Sequence, residues 1–210
     1  MESYQRPAAN QVVEHEIEIK RSRFITLVAR ATNEQEAREF IDAARTRFPD
    51  ARHHCSAYIY HVEDSNPVER SSDDGEPSGT AGKPMLDVVK GSGMLDICVV
   101  VVRYFGGIKL GAGGLVHAYS GAVSETVEKV RTVTRAKKEL YTVELSHADA
   151  GKIEAELRGR GFDVVDTDYG AQVTYTVAVA PGGRAGLDAE LAALSQGGAQ
   201  SRKAGISWVE

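Results

Sequence analysis

The 210-residue sequence predicts an α+β protein built as two domains, residues 1–137 and 138–210. Three observations carry that expectation. Segments of period-two hydrophobicity, which mark half-buried strands, are interspersed with segments whose apolar residues recur at helical spacing. The last third runs strand, helix, strand, strand, helix, strand. Between the two parts, residues 132–138 are short, polar and basic, a composition that suits a domain connection.

In the first part, Val13, His15, Ile17 and Ile19 alternate with charged residues, and Phe24 to Ala29 continues the pattern past a polar break, so a strand or bent hairpin opens the fold. Thr32-Asn33-Glu34-Gln35 supplies a capping-box pattern. It precedes Ala37, Phe40, Ile41, Ala44 and Phe48, which form one stripe on a helix ending before Pro49. Cys55 to Val62 reads as a strand. Glu63 to Asp74, rich in Asp and Ser, reads as an exposed connection. Pro84 opens a short helix with Met85, Val88 and Val89 as its apolar face and Gly91 as its stop. Leu95 to Phe105 is a buried, largely β-branched strand. Leu115, Ala118, Tyr119, Ala122, Val123, Val127 and Val130 then define a long amphipathic helix with its N-terminus expected at Gly113-Gly114.

In the second part, a strand through Tyr141, Val143 and Leu145 leads to a helix capped by Ser146, carrying Ile153 and Leu157 and stopped by Gly161. Phe162 to Asp168 and Gln172 to Ala180 are strands joined at Tyr169-Gly170, with Val173, Tyr175, Val177 and Val179 on one buried face. After Pro181-Gly182-Gly183 come a helix with Leu187, Leu191 and Leu194 and a closing strand, Ile206 to Val209. The order βαββαβ is the ferredoxin-like arrangement.

Composition narrows the function. With 42% hydrophobic and 26% charged residues the chain is not of the disordered class. Met1 to Gln11 lacks a signal-peptide pattern, and the longest apolar run, Ile97 to Val102, is strand-sized, so no membrane association is expected. Two cysteines, Cys55 and Cys98, suit a reduced cytoplasmic setting without a structural disulfide. Residues 1–137 hold 18 Lys+Arg against 19 Asp+Glu and residues 138–210 hold 7 against 11, which gives the net charge of −5. Bulk charge therefore gives no support to general nucleic-acid binding, and such a role must come from local placement.

The chemistry concentrates in two glycine-rich stretches, residues 73–84 and 103–115. Gly106, Gly107, Gly111, Gly113 and Gly114 connect a buried strand to a helix start, where free N–H groups favour an anion and Arg103 and Lys109 add positive charge. The same glycines equally suit a tight turn that lets strand and helix pack. Nucleotide fingerprints fail: the first stretch lacks the P-loop spacer and has Pro84 where Ser or Thr is needed, and the second is not Gly-x-Gly-x-x-Gly. Asp73, Asp74 and Glu76 could hold Mg2+ or serve as acid and base, or simply cap a solvated turn beside Lys83. His53, His54, Cys55 and His61 make a poor zinc set, because neighbours on a strand point to opposite faces. Cys55 reads as a half-buried small side chain before a nucleophile, and Cys98 as core. His117, in the first turn of the glycine-capped helix, faces either the cradle or solvent.

These two stretches, Asp73 to Pro84 and Val102 to Tyr119, resemble the signatures of the IMPACT/YigZ family, and the resemblance extends over essentially the whole chain. It implies a first domain with a left-handed β-α-β fold like the second domain of a small-subunit ribosomal protein and domain four of elongation factor G. The second domain is similar to the last, ferredoxin-like domain of that factor. Eukaryotic members regulate translation through an additional N-terminal partner-binding domain, so their pathway role is not expected to transfer. What the resemblance does imply is association with RNA or the ribosome through Lys83, Arg103, Lys109 and the loop glycines. His117 departs from it, because the family pattern has arginine there, and this weakens the expected basic patch. The leading expectation is thus a cytoplasmic, non-catalytic RNA- or ribosome-binding protein in translation control, with no cofactor and no metal. Its rivals are a metal-dependent phosphoester hydrolase or other phosphate-binding enzyme using Asp73, Asp74 and Glu76, and a protein–protein adaptor.

Overall fold

A computed structural model describes residues Glu2–Glu210. The chain divides into two compact units, Tyr4–Thr134, and Arg135–Glu210 together with Glu2 and Ser3. After β1 (Ser3–Pro7), the first unit forms a five-stranded sheet from β2 (Val12–Ile19), β3 (Ser22–Arg30), β4 (His53–Tyr60), β5 (Val68–Ser72) and β6 (Ile97–Tyr104). Its order is β2-β3-β6-β4-β5, and every neighbouring pair is antiparallel. Because β3 and β4 both run against β6, they are parallel to each other, and α1 (Glu34–Arg47) is the crossover between them.

The central position of β6 follows from its sequence. Ile97 to Val102 are all buried, so the strand shows no alternation and needs cover on both faces. One face, with Ile25, Leu27, Cys98, Val100 and Val102, packs under Ala37, Ile41 and Ala44 of α1. On the other, α3 (Gly111–Val127) packs against β3 and α2 (Gly82–Gly91) against β4. There Phe24 meets Tyr119 edge to face, with ring centroids 5.3 Å apart.

The capping box of α1 sits one residue later than expected. Asn33 is the N-cap, accepting the Glu36 N–H at 2.9 Å, while the Glu36 carboxylate accepts the N–H and the hydroxyl of Thr32 at 2.7 and 2.9 Å. Glu63 to Asp74, expected as a connection, contains β5, whose polar side chains are compatible with a strand because an edge strand needs only one hydrogen-bonded neighbour. Helix α3 begins at Gly111, two residues before the expected start. The polar stretch expected to connect the domains is the beginning of the 14-residue strand β7 (Thr132–Leu145).

The second unit continues from β7 through α4 (His147–Gly159), β8 (Asp163–Tyr169), β9 (Val173–Val179), α5 (Arg184–Ser195) and β10 (Ser201–Val209). The order β10-β7-β9-β8, all antiparallel, is ferredoxin-like. Tyr141, Val143, Tyr175 and Val177 bury one face of this sheet against Ile153 and Leu157 of α4 and Leu187 and Leu191 of α5. The Ser146 hydroxyl caps α4 by accepting the Asp149 N–H at 3.2 Å. Among the described residues, no helix is long and apolar enough to cross a membrane.

Removing the Asn33 cap leaves the Glu36 N–H without its acceptor. Asn33→Ala is expected to lower stability by about 1 kcal/mol in urea unfolding, and Asn33→Ser to restore most of it.

Candidate functional site

The sheet register brings the two glycine-rich loops together. The first loop joins β5 to α2 and the second joins β6 to α3, and His53 at the start of β4 pairs with Arg103 near the end of β6. Around this edge lies a cleft of about 390 Å³ lined by Arg52, His53, Glu76, Arg103, Phe105 and Lys109, with the first residues of α3 completing its wall. Residues from both stretches therefore share one concavity.

Beneath the cleft is a buried polar cluster. Arg103 is 6% exposed and Glu76 8%. Arg103 Nη1 donates to Glu76 Oε1 at 2.6 Å, and the Tyr119 hydroxyl donates to the same oxygen at 2.7 Å. His53 Nε2 lies 3.9 Å from that oxygen. Ser22 Oγ accepts from Arg103 Nη2 at 3.4 Å and from the Gly106 N–H at 3.2 Å, which ties the second loop to the start of β3. The guanidinium carbon lies over the Phe24 ring at 5.5 Å and over the Phe105 ring at 5.6 Å. Arg103, expected as a phosphate contact, is thus an internal partner of Glu76, and its buried Nε has no hydrogen-bond partner.

The acidic residues do not converge. Burial opposes ionisation of Asp73, yet N–H bonds from Gly79, Gly82 and Ala81 outweigh it and hold the carboxyl below its ordinary range. Those bonds measure 2.8 Å from Gly79, 2.8 Å from Gly82 and 3.1 Å from Ala81, and they cap the start of α2. Asp74 accepts the His54 N–H at 2.6 Å and pairs with Arg45 at 3.2 Å. With Glu76 committed to Arg103 and Tyr119, the three carboxylates serve three different structural tasks. Among the described residues, no group of three or more His, Cys, Asp or Glu side chains is placed to hold a metal ion.

Cys55 also lies inside this structure rather than at its mouth. Its thiol donates to the Asp73 carbonyl at 3.0 Å, and burial pushes its pKa up to about 12, with nearby Glu76, Asp74 and Asp73 adding to the rise. Such a thiol is protonated at neutral pH and is not an activated nucleophile. Burial likewise raises the Cys98 thiol and the Tyr119 hydroxyl.

The remaining expected contacts separate into two groups. Lys109 is exposed and lines the cleft. Lys83 is exposed on α2 and pairs with Asp87 one turn on, and His117 is exposed on α3 outside the cleft lining. Gly106 meets a close approach, but from the chain itself: a Cβ there would lie 2.0 Å from the Arg21 carbonyl. Gly107 and Gly111 have φ of +86° and +75°, which side chains rarely adopt. Gly113 and Gly114 belong to the first turn of α3. Sequence reasoning missed Arg52, which stands next to a paired strand and in no motif, and passed over Phe105, whose place directly before Gly106 was the available signal.

These loops and this fold define a class: a two-domain α+β protein whose first domain presents paired glycine-rich loops at one sheet end. Residues 20–127 match the Impact N-terminal domain, and residues 143–197 match a domain of unknown function, DUF1949. The chain is 42% identical over 200 residues to the IMPACT family member YigZ of Escherichia coli, covering 95% of this chain and 97% of that one. It is 44% identical over 162 residues to the IMPACT family member YvyE of Bacillus subtilis, covering 77% and 74%. A solved structure described as a hypothetical protein aligns with TM-score 0.63 and 42% identity over 96% of this chain and 97% of its own. The chain belongs to the IMPACT family.

Breaking the buried ion pair leaves a desolvated guanidinium without its counter-charge. Glu76→Ala is expected to cost about 3–5 kcal/mol of stability in denaturant unfolding, well above the effect of truncating an exposed carboxylate. A thiol-specific disulfide reagent at pH 8 is expected to leave Cys55 unmodified in the folded protein and to react fully once denaturant is added.

Proposed function

We propose that this chain is a cytoplasmic, non-catalytic RNA- or ribosome-associated protein acting in the regulation of translation, and that RNA lies in the cleft between the two glycine-rich loops. The observation that carries this reading is the balance of charge at the cleft. Its carboxylate, Glu76, is buried against Arg103, whereas Arg52 and Lys109 are exposed there with no ion pair among the described residues. A chain of net charge −5 thus presents a local cationic surface, beside a helix start with no side-chain cap. Phosphate contacts of this kind position a nucleic acid without reading its sequence. Membership of the family supports the translational setting through the resemblance described above. Lys83, Arg103 and His117 have no direct part in this reading, and Arg52 takes their place.

Purified protein is expected to co-sediment with ribosomes at low salt and to be released progressively as KCl rises. The double variant Arg52→Ala, Lys109→Ala should pellet several-fold less. Pelleting that ignores salt, or a double variant that pellets like wild type, would sink the proposal. Pelleting that survives nuclease and high salt would point to a protein partner instead.

A further inference from the structure

We infer that the cleft takes unpaired rather than double-stranded RNA, with one base stacked on Phe105 and neighbouring phosphates held by Arg52 and Lys109. This inference rests on the RNA-associated reading of the same cleft. Phe105 is 53% exposed, although it directly follows β6, the most deeply buried strand of its sheet. An exposed aromatic ring at the mouth of a cleft is unusual enough to ask what covers it.

The ring is held in place. Arg103 backs one face, with its guanidinium carbon 5.6 Å from the centroid, and that guanidinium is itself fixed by Glu76 at 2.6 Å and by the Phe24 ring beneath. A guanidinium so clamped supports Phe105 from below and leaves its remaining surface to the cleft. A platform fixed before binding loses little side-chain freedom when a flat partner stacks on it. Beside it, Gly107 leaves the main chain uncovered by any side chain, so a sugar or base can approach closely.

Charge and shape select among flat partners. The two cations, which have no ion pair among the described residues, call for a polyanion, and the buried Glu76 adds no repulsion at the surface. An acidic peptide would answer Arg52 and Lys109 but offers no regularly placed planar group for Phe105. A duplex answers the cations too, but its bases are already stacked on one another and cannot reach the ring. An unpaired strand supplies both features at once, as in single-strand binders that combine cationic tracks with aromatic platforms.

The test uses the full chain and a labelled single-stranded RNA of about a dozen nucleotides, a length within the usual site sizes. The same sequence annealed to its complement and poly-glutamate serve as competitors. The single strand is expected to bind at least about tenfold more tightly than the duplex, and Phe105→Ala to weaken it about tenfold with an unchanged salt slope. Arg52→Ala with Lys109→Ala should instead lower the logarithmic salt slope by about 1.4, the share of two phosphate contacts. Phe105→Trp should retain binding and show fluorescence quenching on RNA addition beyond that of wild type. Thermal melts confirm that each variant is folded. Equal affinity for duplex, wild-type binding by Phe105→Ala, or displacement of the RNA by poly-glutamate overturns the inference. If wild type pellets with ribosomes in a salt-sensitive way but shows no preference for the single strand, this inference alone falls. If it does neither, the proposed function falls with it.

Discussion

The ion pair between Arg103 and Glu76 is the interaction on which the candidate site depends. Two charges removed from water are stabilising only if their hydrogen-bonding capacity is largely met, and here Tyr119, Ser22 and two aromatic rings supply most of the shell, with the Arg103 Nε left without a hydrogen-bond partner among the described residues. The pair joins the end of β6 to the first glycine-rich loop, and Ser22 extends the connection to the second loop through the Gly106 N–H. Three segments distant in sequence are thus fixed to one guanidinium. The cleft above them inherits its shape from that anchoring.

How much of this was legible in the sequence depends on the range of the interaction. The hydrophobic run in β6 and the stripes of α1 and α3 are local patterns, and local patterns determine element type directly. The edge strand β5 was not legible, because its pairing uses backbone groups and leaves its polar side chains free to look like a loop. Thr132–Lys138 does hold the division between the two units, but that it is strand was not legible for a related reason: backbone pairing of Ala136 to Val209 and Lys137 to Trp208 holds a polar segment extended. In each case tertiary pairing overrode composition.

The site divides along the same line. That two signatures share a surface was suggested by their glycines, but which cation faces solvent was not. Arg103 and Lys109 are six positions apart and look equivalent in the sequence, yet one is buried against Glu76 and the other is exposed. Only the register that sets His53 opposite Arg103, with Glu76 close by, separates them. Arg52 enters through that same register. Gly106 is instructive in the opposite direction: the close approach inferred from its lack of a side chain is real, but the visitor is the turn between β2 and β3.

The carboxylate of Asp73 has a consequence for how the two loops divide their labour. It occupies the N–H donors of Gly79, Ala81 and Gly82 at the head of α2, the kind of seat that nucleotide-binding loops offer to a phosphate. The first loop therefore carries its own built-in anion at these three donors. Its glycines shape a wall, whereas the N-cap of α3, Leu110, makes no side-chain capping bond, so the two helix heads at this sheet end differ in what faces them.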